Sequence, residues 1–457
     1  MRLSLTLACA ASFLGILSAY QSVASAAGAY LVPNGTASSV TDHRMIVSVG
    51  QDEWTLYDEI RYDGAPESFT WLLPIKGEVR VGVSSDIVFS SLEFWTESIV
   101  GLPPRTCPVL PCQGNVPAGM DAFFHPRHVS SIEVASPYEI VEVRPSSPVG
   151  LHEWLAANGY TVGPDAAMLL DDYIAKGFGF LAAKLRPGAT VKTMRPLRVT
   201  MKGSPPTVPL RMMALGSKPQ ASLSLWVVAN ARHEPKNYPV FTILPYEITW
   251  DRSRGVARGF SSEGSEGAHD YAAVYAARLA ASGGRGWELE TTVPLTQATL
   301  AQTIEKTMSY YPPSGPRDLE KDYLPVPAVD GGAAKSVRDV FKEDMSVLFN
   351  GIDTPRVSRF RTQWTASAMA QDLVVGVSAD QDLIITQWKG PTVVGVANCA
   401  TCPADAGAAA AAPTPSALEP DESSCSISQG RILTTLSVVP WLGLALLGLG
   451  RRHLRRR

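Results

Sequence analysis

Two histidines in the stretch FFHPRHVSS have a spacing that could support metal chemistry. His125 and His128 are three residues apart, so on a helix their imidazoles could share one metal ion. Pro126 lies between them and favours a loop instead, and no carboxylate lies close by in the sequence. The simpler interpretation is a surface loop whose neighbouring phenylalanines pack into the core.

A second candidate is a histidine next to an aspartate. His269 and Asp270 could orient a base for a serine nucleophile such as Ser261 or Ser265. Neighbouring residues of a helix point to different faces, so this pair is not a preassembled dyad. We interpret Asp270 as an acid in the first helical turn, where its charge complements the helix dipole.

The sequence contains no other recognisable catalytic pattern. G-x-S-x-G, H-E-x-x-H, Walker and dinucleotide-binding glycine motifs are all absent. The acidic stretches at 318–323 (DLEKDY) and 380–382 (DQD) could bind calcium weakly, although solvated surface charge is the expected role. We therefore predict no catalytic residue, no metal ligand and no cofactor. The alternative is an extracytoplasmic hydrolase whose site is assembled from residues far apart in the sequence.

Four cysteines in the body of the chain form two close pairs, Cys107 with Cys112 and Cys399 with Cys402. Disulfides between these near neighbours are the simplest expectation for an exported protein. A four-thiolate zinc site and, for the C-x-x-C pair, a thioredoxin-like redox site are the competing interpretations.

The N-terminus has the pattern of a secretory signal peptide over residues 1–26. Arg2 supplies the positive charge, residues 3–17 are mostly apolar, and Ala-Ser-Ala at 24–26 is a small-residue cleavage site. Cleavage is expected between Ala26 and Ala27. A lipoprotein signal that uses Cys9 is the alternative. The protein is therefore predicted to be exported.

The C-terminal region contains a second hydrophobic segment. Residues 432–450 are uncharged and just short of the ~20 apolar residues that span a bilayer. The positive-inside rule places the arginines that follow in the cytoplasm, so the body faces outward. These arginines are Arg451, Arg452, Arg455, Arg456 and Arg457.

Cys425 precedes this segment and follows an Ala/Pro-rich linker at 403–424 that is too polar to form a core. A cysteine, a short hydrophobic helix and an arginine cluster resemble the MYXO-CTERM type of sorting tail over residues 425–457. The resemblance implies cleavage near Cys425 and a modification of that cysteine at the cell surface. A plain single-span anchor is the alternative.

Processing would change the charge of the protein. The full chain has 40 basic and 43 acidic residues, and the two removed segments hold seven arginines and no acid, which leaves 40 − 7 = 33 basic residues and a net charge of about −10. Such a body has no general attraction to nucleic acid or anionic lipid. The predicted partners are the membrane, reached through the C-terminal helix, the export and sorting machinery, and an unidentified extracellular ligand or protein.

The body at 27–402 is long enough for one large domain or two subdomains, near 27–250 and 251–402. Period-two patterning predicts strands in EWTLYDEIRY, SFTWLLPI and VRVGV, and Asp58 interrupts the apolar face of the first. The DGAP turn at 63–66 suggests that the first two strands form a hairpin or meander.

Helices are predicted at 149–159 and 165–177, where Gly159 and Gly177 are the expected C-terminal caps, and at about 267–282, 297–311 and 335–349. Further strands are predicted at 177–185, 197–201, 208–213, 221–230, 372–377, 383–388 and 392–396. Strands and helices do not alternate regularly, so the expected class is α+β with a largely antiparallel sheet.

Several stretches resemble a family of secreted bacterial proteins, domain of unknown function 2330. They are DHRMIVSV, YDGAPESFTWLLPI, LDDYIAKGFGFLAAKL, MRPLRVTMKGSPPTVPLRM, GWELETT and SRFRTQWTASAMAQDL. The resemblance implies an envelope or surface protein with no established activity, and no catalytic residue can be transferred. We therefore expect an exported protein with a binding or structural role.

Overall fold

A computed structural model describes residues 39–63, 70–101, 103–104, 106, 138–145, 147–160, 162–185, 195–203, 205–215, 217–254, 268–309, 335–385 and 388–397. Several predicted features lie outside these residues. They are the signal peptide, His125 and His128, Ser261 and Ser265, the stretch at 318–323, the four body cysteines, the linker, Cys425 and the tail with its predicted span at 432–450. Within the described part of the chain, no helix is both long enough and apolar enough to cross a membrane.

Seven helices occur in the described residues: α1 (Asp86–Thr96), α2 (Pro148–Ala157), α3 (Pro164–Ala175), α4 (Leu210–Ala214), α5 (Tyr271–Ala281), α6 (Gln297–Ser309) and α7 (Val337–Leu348). The strands are β1 (Ser39–Val49), β2 (Glu53–Asp63), β3 (Thr70–Ile75), β4 (Val79–Val83), β5 (Ile99–Val100), β6 (Tyr138–Val143), β7 (Gly179–Leu185), β8 (Leu197–Lys202), β9 (Thr207–Val208), β10 (Ser217–Ala229), β11 (His233–Pro235), β12 (Val240–Phe241), β13 (Thr249–Asp251), β14 (Ala268–His269), β15 (Trp287–Pro294), β16 (Arg356–Thr365), β17 (Leu373–Val377), β18 (Trp388–Lys389) and β19 (Thr392–Val394).

The largest sheet has eight strands in the order β12-β15-β16-β10-β1-β2-β8-β4. Most neighbouring strands are antiparallel, whereas β1 runs parallel to β10 and β12 runs parallel to β15. Strands from both sides of residue 250 share this sheet. The predicted α+β class with largely antiparallel sheets is confirmed.

The main sheet is covered on both faces. Met45 and Val47 of β1 point into a core that is shared with the three-stranded sheet β3-β7-β6. Ile46, between them, points into a second core formed with α1, α6 and α7. A third core lies between the three-stranded sheet and helices α2 and α3. The result is a layered arrangement of helices, main sheet, small sheet and helices.

Strand β3 shows why the predicted hairpin is wrong. β2 pairs with β1 and β8 in the main sheet, whereas β3 pairs with β7 in the small sheet. Trp71 and Leu73 fill the core towards the main sheet, and Leu72 fills the core towards α2 and α3. A strand that is buried on both faces needs a layer on each side, and a two-stranded hairpin cannot supply one.

Most predicted elements are confirmed, with a few corrections. The helices at 149–159 and 165–177 are α2 and α3, and both capping glycines have positive φ angles, 84° and 78°. The predicted strand at 208–213 is wrong, because Leu210–Ala214 forms the helix α4. In the described part of the predicted strand at 383–388, which lacks 386 and 387, the structure has a bridge at Ile384 and the start of β18. Helix α1 was not predicted.

Helix α7 begins at a side-chain cap and is fixed to the sheet by one buried carboxylate. Ser336 accepts the backbone N–H of Asp339 at 3.2 Å. Asp344 lies on the buried side of the helix and accepts from the Ser84 hydroxyl at 2.9 Å and the Ser85 N–H at 2.9 Å. Arg198 of β8 donates to its other oxygen at 2.7 Å. Burial raises the pKa of Asp344 to about 6, although Arg198 and the serines oppose this shift.

We predict a pH-dependent effect of the substitution Asp344→Asn. Because the folded-state pKa lies above the ordinary value near 3.8, this group stabilises the fold most below pH 4, and the contribution is lost as pH rises through 6. The stability of the wild type relative to Asp344→Asn should therefore fall by about 2 kcal/mol between pH 4 and pH 7. Denaturant unfolding at a series of pH values measures this.

The matched control is Asp339→Asn, which makes the same substitution on the exposed side of the same helix and so separates the effect of burial from that of the substitution itself. A wild-type advantage over Asp344→Asn that grows from pH 4 to pH 7 would contradict the prediction.

Candidate functional site: a buried row of alternating charges

The hairpin of β1 and β2 places charged pairs on both faces of the main sheet. His43 and Arg44 are adjacent on β1, and Asp58 and Glu59 are adjacent on β2. Because successive residues of a strand point to opposite faces, His43 meets Asp58 on one face and Arg44 meets Glu59 on the other. The aspartate that interrupts the apolar face of β2 therefore has a partner on the neighbouring strand.

The pair on the first face has the geometry of a histidine oriented by a carboxylate. His43 Nδ1 lies 3.1 Å from Asp58 Oδ1, and His43 Nε2 is buried with no hydrogen-bond partner among the described residues. In a catalytic triad, this nitrogen would accept the proton of the nucleophile. His43 is fully buried beside Met45 and Leu223, so a substrate could reach its Nε2 only if neighbouring side chains moved.

The pair on the second face is the start of a longer network. Arg44 donates from Nε to Glu59 at 2.8 Å and from Nη1 to Glu93 of α1 at 3.0 Å. The second oxygen of Glu93 accepts from Arg359 Nη2 of β16 at 3.4 Å. A carboxylate from the helix thus joins two arginines that lie on different strands.

The network continues from β16 to β15. Arg359 Nε lies 3.1 Å and Arg361 Nε lies 3.3 Å from the two oxygens of Glu290, as ion pairs without hydrogen-bond orientation. Glu288 accepts from Arg361 Nη2 at 3.4 Å and from Tyr271 OH at 2.6 Å. Its other oxygen accepts from Lys389 Nζ at 3.0 Å.

These side chains form one sequence of alternating charges, which we call the charged row. Each member contacts the next, and four carboxylates alternate with four cations. In spatial order the members are Glu59, Arg44, Glu93, Arg359, Glu290, Arg361, Glu288 and Lys389. Glu93 and Arg361 reach solvent, and the other six are buried. The charges cancel within the row.

Strand register explains why these residues line up. Glu288, Arg361, Ser224, Arg44 and Glu59 are direct neighbours across five adjacent strands of the main sheet. A β-bulge in β15 between Leu289 and Thr291 adds Glu290 to the same network. The position of the row is therefore a property of the sheet rather than of any single loop.

Aromatic rings and burial shape the electrostatics of the row. The guanidinium of Arg44 lies 5.3 Å from the ring of Phe89, and that of Arg359 lies 5.4 Å from the ring of Trp226. Burial raises the pKa of Glu290, and the two arginines beside it oppose this shift. Burial, together with the charge of Glu288, also raises the pKa of Tyr271 well above its ordinary value.

The chemistry of the charged row is that of ion pairing. Its members are carboxylates, guanidiniums and one ammonium, and no serine, cysteine or histidine belongs to it. Among the described residues, no three His, Cys, Asp or Glu side chains are placed to hold a metal ion. Interior charges that are fully matched hold elements in fixed register, because separating them leaves an unpaired charge in a medium of low polarity.

The candidate pair His269 and Asp270 is not a dyad in the structure. Asp270 is the N-terminal capping residue of α5, and its carboxylate accepts from the backbone N–H of Thr249 at 2.7 Å. His269 packs against the rings of Trp250 and Tyr271, with centroids 5.8 and 6.4 Å away. Asp270 therefore links the start of α5 to β13 and does not orient His269.

The acidic stretch at 380–382 is also accounted for by contacts within the protein. Asp380 accepts from Arg232 Nη1 and from the backbone N–H of Asp382, both at 2.8 Å. Gln381 accepts from the backbone N–H of Arg232 at 3.0 Å and donates to the backbone oxygen of that residue at 3.1 Å. The stretch is held by Arg232, which agrees with a surface role.

The sequence contained a signal for the charged row. In GWELETT, Glu288 and Glu290 are two residues apart, and in SRFRTQW, Arg359 and Arg361 have the same spacing. Like charges at period two within an apolar strand predict a charged stripe on one face. Pairing the two stripes, however, requires the knowledge that β15 and β16 are neighbours.

The chain matches one protein-family model over most of its length. The model described as "Uncharacterized protein conserved in bacteria (DUF2330)" matches residues 21–324, about two thirds of the chain. The protein is a member of the DUF2330 family. Comparison with curated proteins finds no match, and comparison with solved structures finds none.

The DUF2330 match includes part of the charged row. All four carboxylates and Arg44 lie within the matched residues, whereas Arg359, Arg361 and Lys389 lie beyond them. The acids of the row thus lie in the DUF2330 region, and most of its cations come from the C-terminal part of this chain.

We predict that Lys389→Met destabilises the protein by about 3 kcal/mol, because it leaves Glu288 buried with one cation fewer. The matched control is Lys342→Met, on the exposed side of α7, which should change stability by less than about 0.5 kcal/mol. Denaturant unfolding followed by tryptophan fluorescence measures both. Equal stabilities of the two variants would show that the pair of Lys389 and Glu288 has no structural importance.

Proposed function

We propose that this DUF2330 protein is an exported, envelope-anchored protein with a binding or structural role at the cell surface. Its signal peptide directs export, and the hydrophobic segment at 432–450 tethers the body to the membrane, with processing near Cys425 as the further step. The charged row supports a structural role, because its charges are matched by one another and it contains no nucleophile.

The observation that carries the proposal is the attachment of the C-terminal segment. Lys389, eight residues before the end of the described chain, is fully buried against Glu288. Its backbone oxygen accepts from the N–H of Gly101 at 2.9 Å, and β18 runs parallel to β5. A segment that leads to a membrane tether transmits any pull on the tether to the body, and a buried ion pair resists that pull.

The neighbouring residues add further connections. β19 runs parallel to β13, and the backbone N–H of Arg252 donates to the oxygen of Val394 at 2.9 Å. The backbone of Ile384 exchanges hydrogen bonds with Thr292 at 3.0 and 3.1 Å. The C-terminal segment is thus joined to several separate parts of the body, which suits a protein that is held by its tail.

Membrane fractionation tests the anchor. The full chain should remain in the membrane fraction after an alkaline carbonate wash, whereas Leu444→Arg/Leu446→Arg should release it, because each central arginine costs about 2.5–3.5 kcal/mol of insertion free energy. The matched control places the same two charges in the linker, as Ala409→Arg/Ala411→Arg, and should fractionate like the wild type. Wild-type protein in the soluble fraction would contradict the proposal.

Intact mass spectrometry of protein from the same membranes in its native host separates the two kinds of anchor. A C-terminus at or near Cys425 supports processing of the tail. A C-terminus at Arg457 supports a plain single-span anchor.

A hydrolase is the second candidate, and two histidine–carboxylate pairs favour it: His43 with Asp58, and the partly exposed His152 with Asp171, whose Nε2 and Oδ1 lie 2.9 Å apart. Because His43 is fully buried, and because neither histidine has a hydrogen bond to a serine among the described residues, we expect the purified protein to remain unlabelled by a fluorophosphonate probe for activated serines. Gel fluorescence measures the labelling. Labelling that disappears in His43→Gln would favour a hydrolase that uses the His43–Asp58 pair, and labelling that disappears in His152→Gln would favour one that uses the His152–Asp171 pair.

A further inference from the structure

The described chain ends in a run of uncharged, exposed residues. The segment 390–397, GPTVVGVA, contains no charged residue. Val396 is 84% exposed, and Val393 and Val394 are also exposed. β19 forms the outer strand of the sheet β14-β13-β19, so its far side has no neighbouring strand in that sheet. Consecutive exposed apolar residues of this kind are uncommon on a soluble surface.

A second segment extends this apolar surface. Tyr246 is 71% exposed, and Leu244, two residues earlier, is also exposed. The backbone N–H of Thr392 donates to the oxygen of Ile248 at 2.8 Å, and the hydroxyl of Thr392 donates to the oxygen of Tyr246 at 3.4 Å. These bonds hold the two segments side by side. We call the surface formed by Leu244, Tyr246, Val394 and Val396 the apolar edge.

A glycine fixes the direction of the chain at the apolar edge. Gly395 has a φ of 76°, and a Cβ at this position would lie 2.6 Å from Asp251 Oδ1. Asp251 is held in turn by the backbone N–H of Ser253 at 2.9 Å. The turn that exposes Val396 therefore requires glycine at position 395, because of both its positive φ angle and the close contact with Asp251.

The length of chain beyond the apolar edge determines which surface is nearest to it. Thirty-four residues, 398–431, separate Ala397 from the predicted membrane segment at 432–450. A random coil of that length has a root-mean-square span of about 30 Å. The tail would hold the bilayer close to the apolar edge, at an effective concentration on the order of millimolar. A contact of low intrinsic affinity would therefore form.

The charges beside the apolar edge indicate which lipids it would contact. Arg278 pairs with Glu247 and Arg254 lies 3.5 Å from Asp251, whereas the side chain of Arg252 donates to the backbone oxygen of Pro104 at 2.9 Å, so the described charges here do not form a strongly cationic patch. Residues 27–424 have a net charge of about −10, so they are not drawn to anionic lipid. Valine and leucine side chains gain from burial in the interface, and tyrosine is typical of the boundary between headgroups and acyl chains.

We propose that the apolar edge docks on the zwitterionic lipid surface of the membrane that the tail of the same chain enters. This inference rests on the proposed function, because the tail must bring the bilayer within reach. Docking would restrict the body to one orientation on the membrane and leave the opposite side free for the binding role.

Photocrosslinking tests the docking. The full chain is reconstituted in phosphatidylcholine vesicles that carry a diazirine in one acyl chain, and lipid adducts are mapped by tryptic digestion and mass spectrometry. The peptide 237–252 contains Leu244 and Tyr246 and lies far from the tail in sequence. We expect adducts on this peptide and a several-fold loss of them in Val394→Ser/Val396→Ser, whose changes lie outside it.

The matched control is Val149→Ser/Met168→Ser, which removes equally exposed apolar side chains from α2 and α3 and should leave the adducts unchanged. The tail peptide 432–451 reports insertion separately. Adducts on the tail without adducts on 237–252 would overturn the docking alone. A tail without adducts would contradict the anchor on which the proposed function depends. Adducts on 237–252 that persist in Val394→Ser/Val396→Ser would also overturn the docking.

Discussion

The pairing of interior charges is the constraint on which the rest of the structure depends. An ionised group in a protein interior is strongly destabilising unless an opposite charge lies against it. The charged row meets this condition across several strands, one helix and the C-terminal segment. Each of these parts supplies a charge that pairs with an opposite charge on another part. Glu288 shows this most clearly, because its oxygens receive Lys389, Arg361 and Tyr271 from three separate regions of the chain.

The same constraint links the two faces of the main sheet. Because side chains alternate along β1, His43 points into one core and Arg44 into the other. On β2, Asp58 pairs with His43 and Glu59 pairs with Arg44. A shift of this hairpin by one residue would place all four side chains on the wrong faces. The two pairs therefore define the register of the strands at the centre of the sheet, and with it the position of the layers on either side.

The C-terminal segment connects this interior to the surface. Lys389 lies in the core, whereas Val396, seven residues later, is almost fully exposed. Between them, β19 is held by β13, and Gly395 turns the chain outward. The segment thus passes from a buried ion pair to the exposed apolar edge within seven residues, as we would expect at the point where the folded body joins the proposed membrane tether.

The sequence by itself determined the elements with strong local signals. Capping glycines marked the ends of α2 and α3, period-two patterns identified β7, β8 and β10, and the quoted motifs indicated the DUF2330 family. It did not determine which strands pair, because the partners are far apart along the chain and register depends on packing against the layers. VPLRMM at 208–213 has an apolar pattern that suits a strand, yet the chain forms a helical turn there. The charged row required the tertiary structure for the same reason. The stripes of Glu288 and Glu290 and of Arg359 and Arg361 are visible in the sequence, but only the folded sheet brings them together. Ion pairs depend on distance in space, and the sequence gives only the separation along the chain.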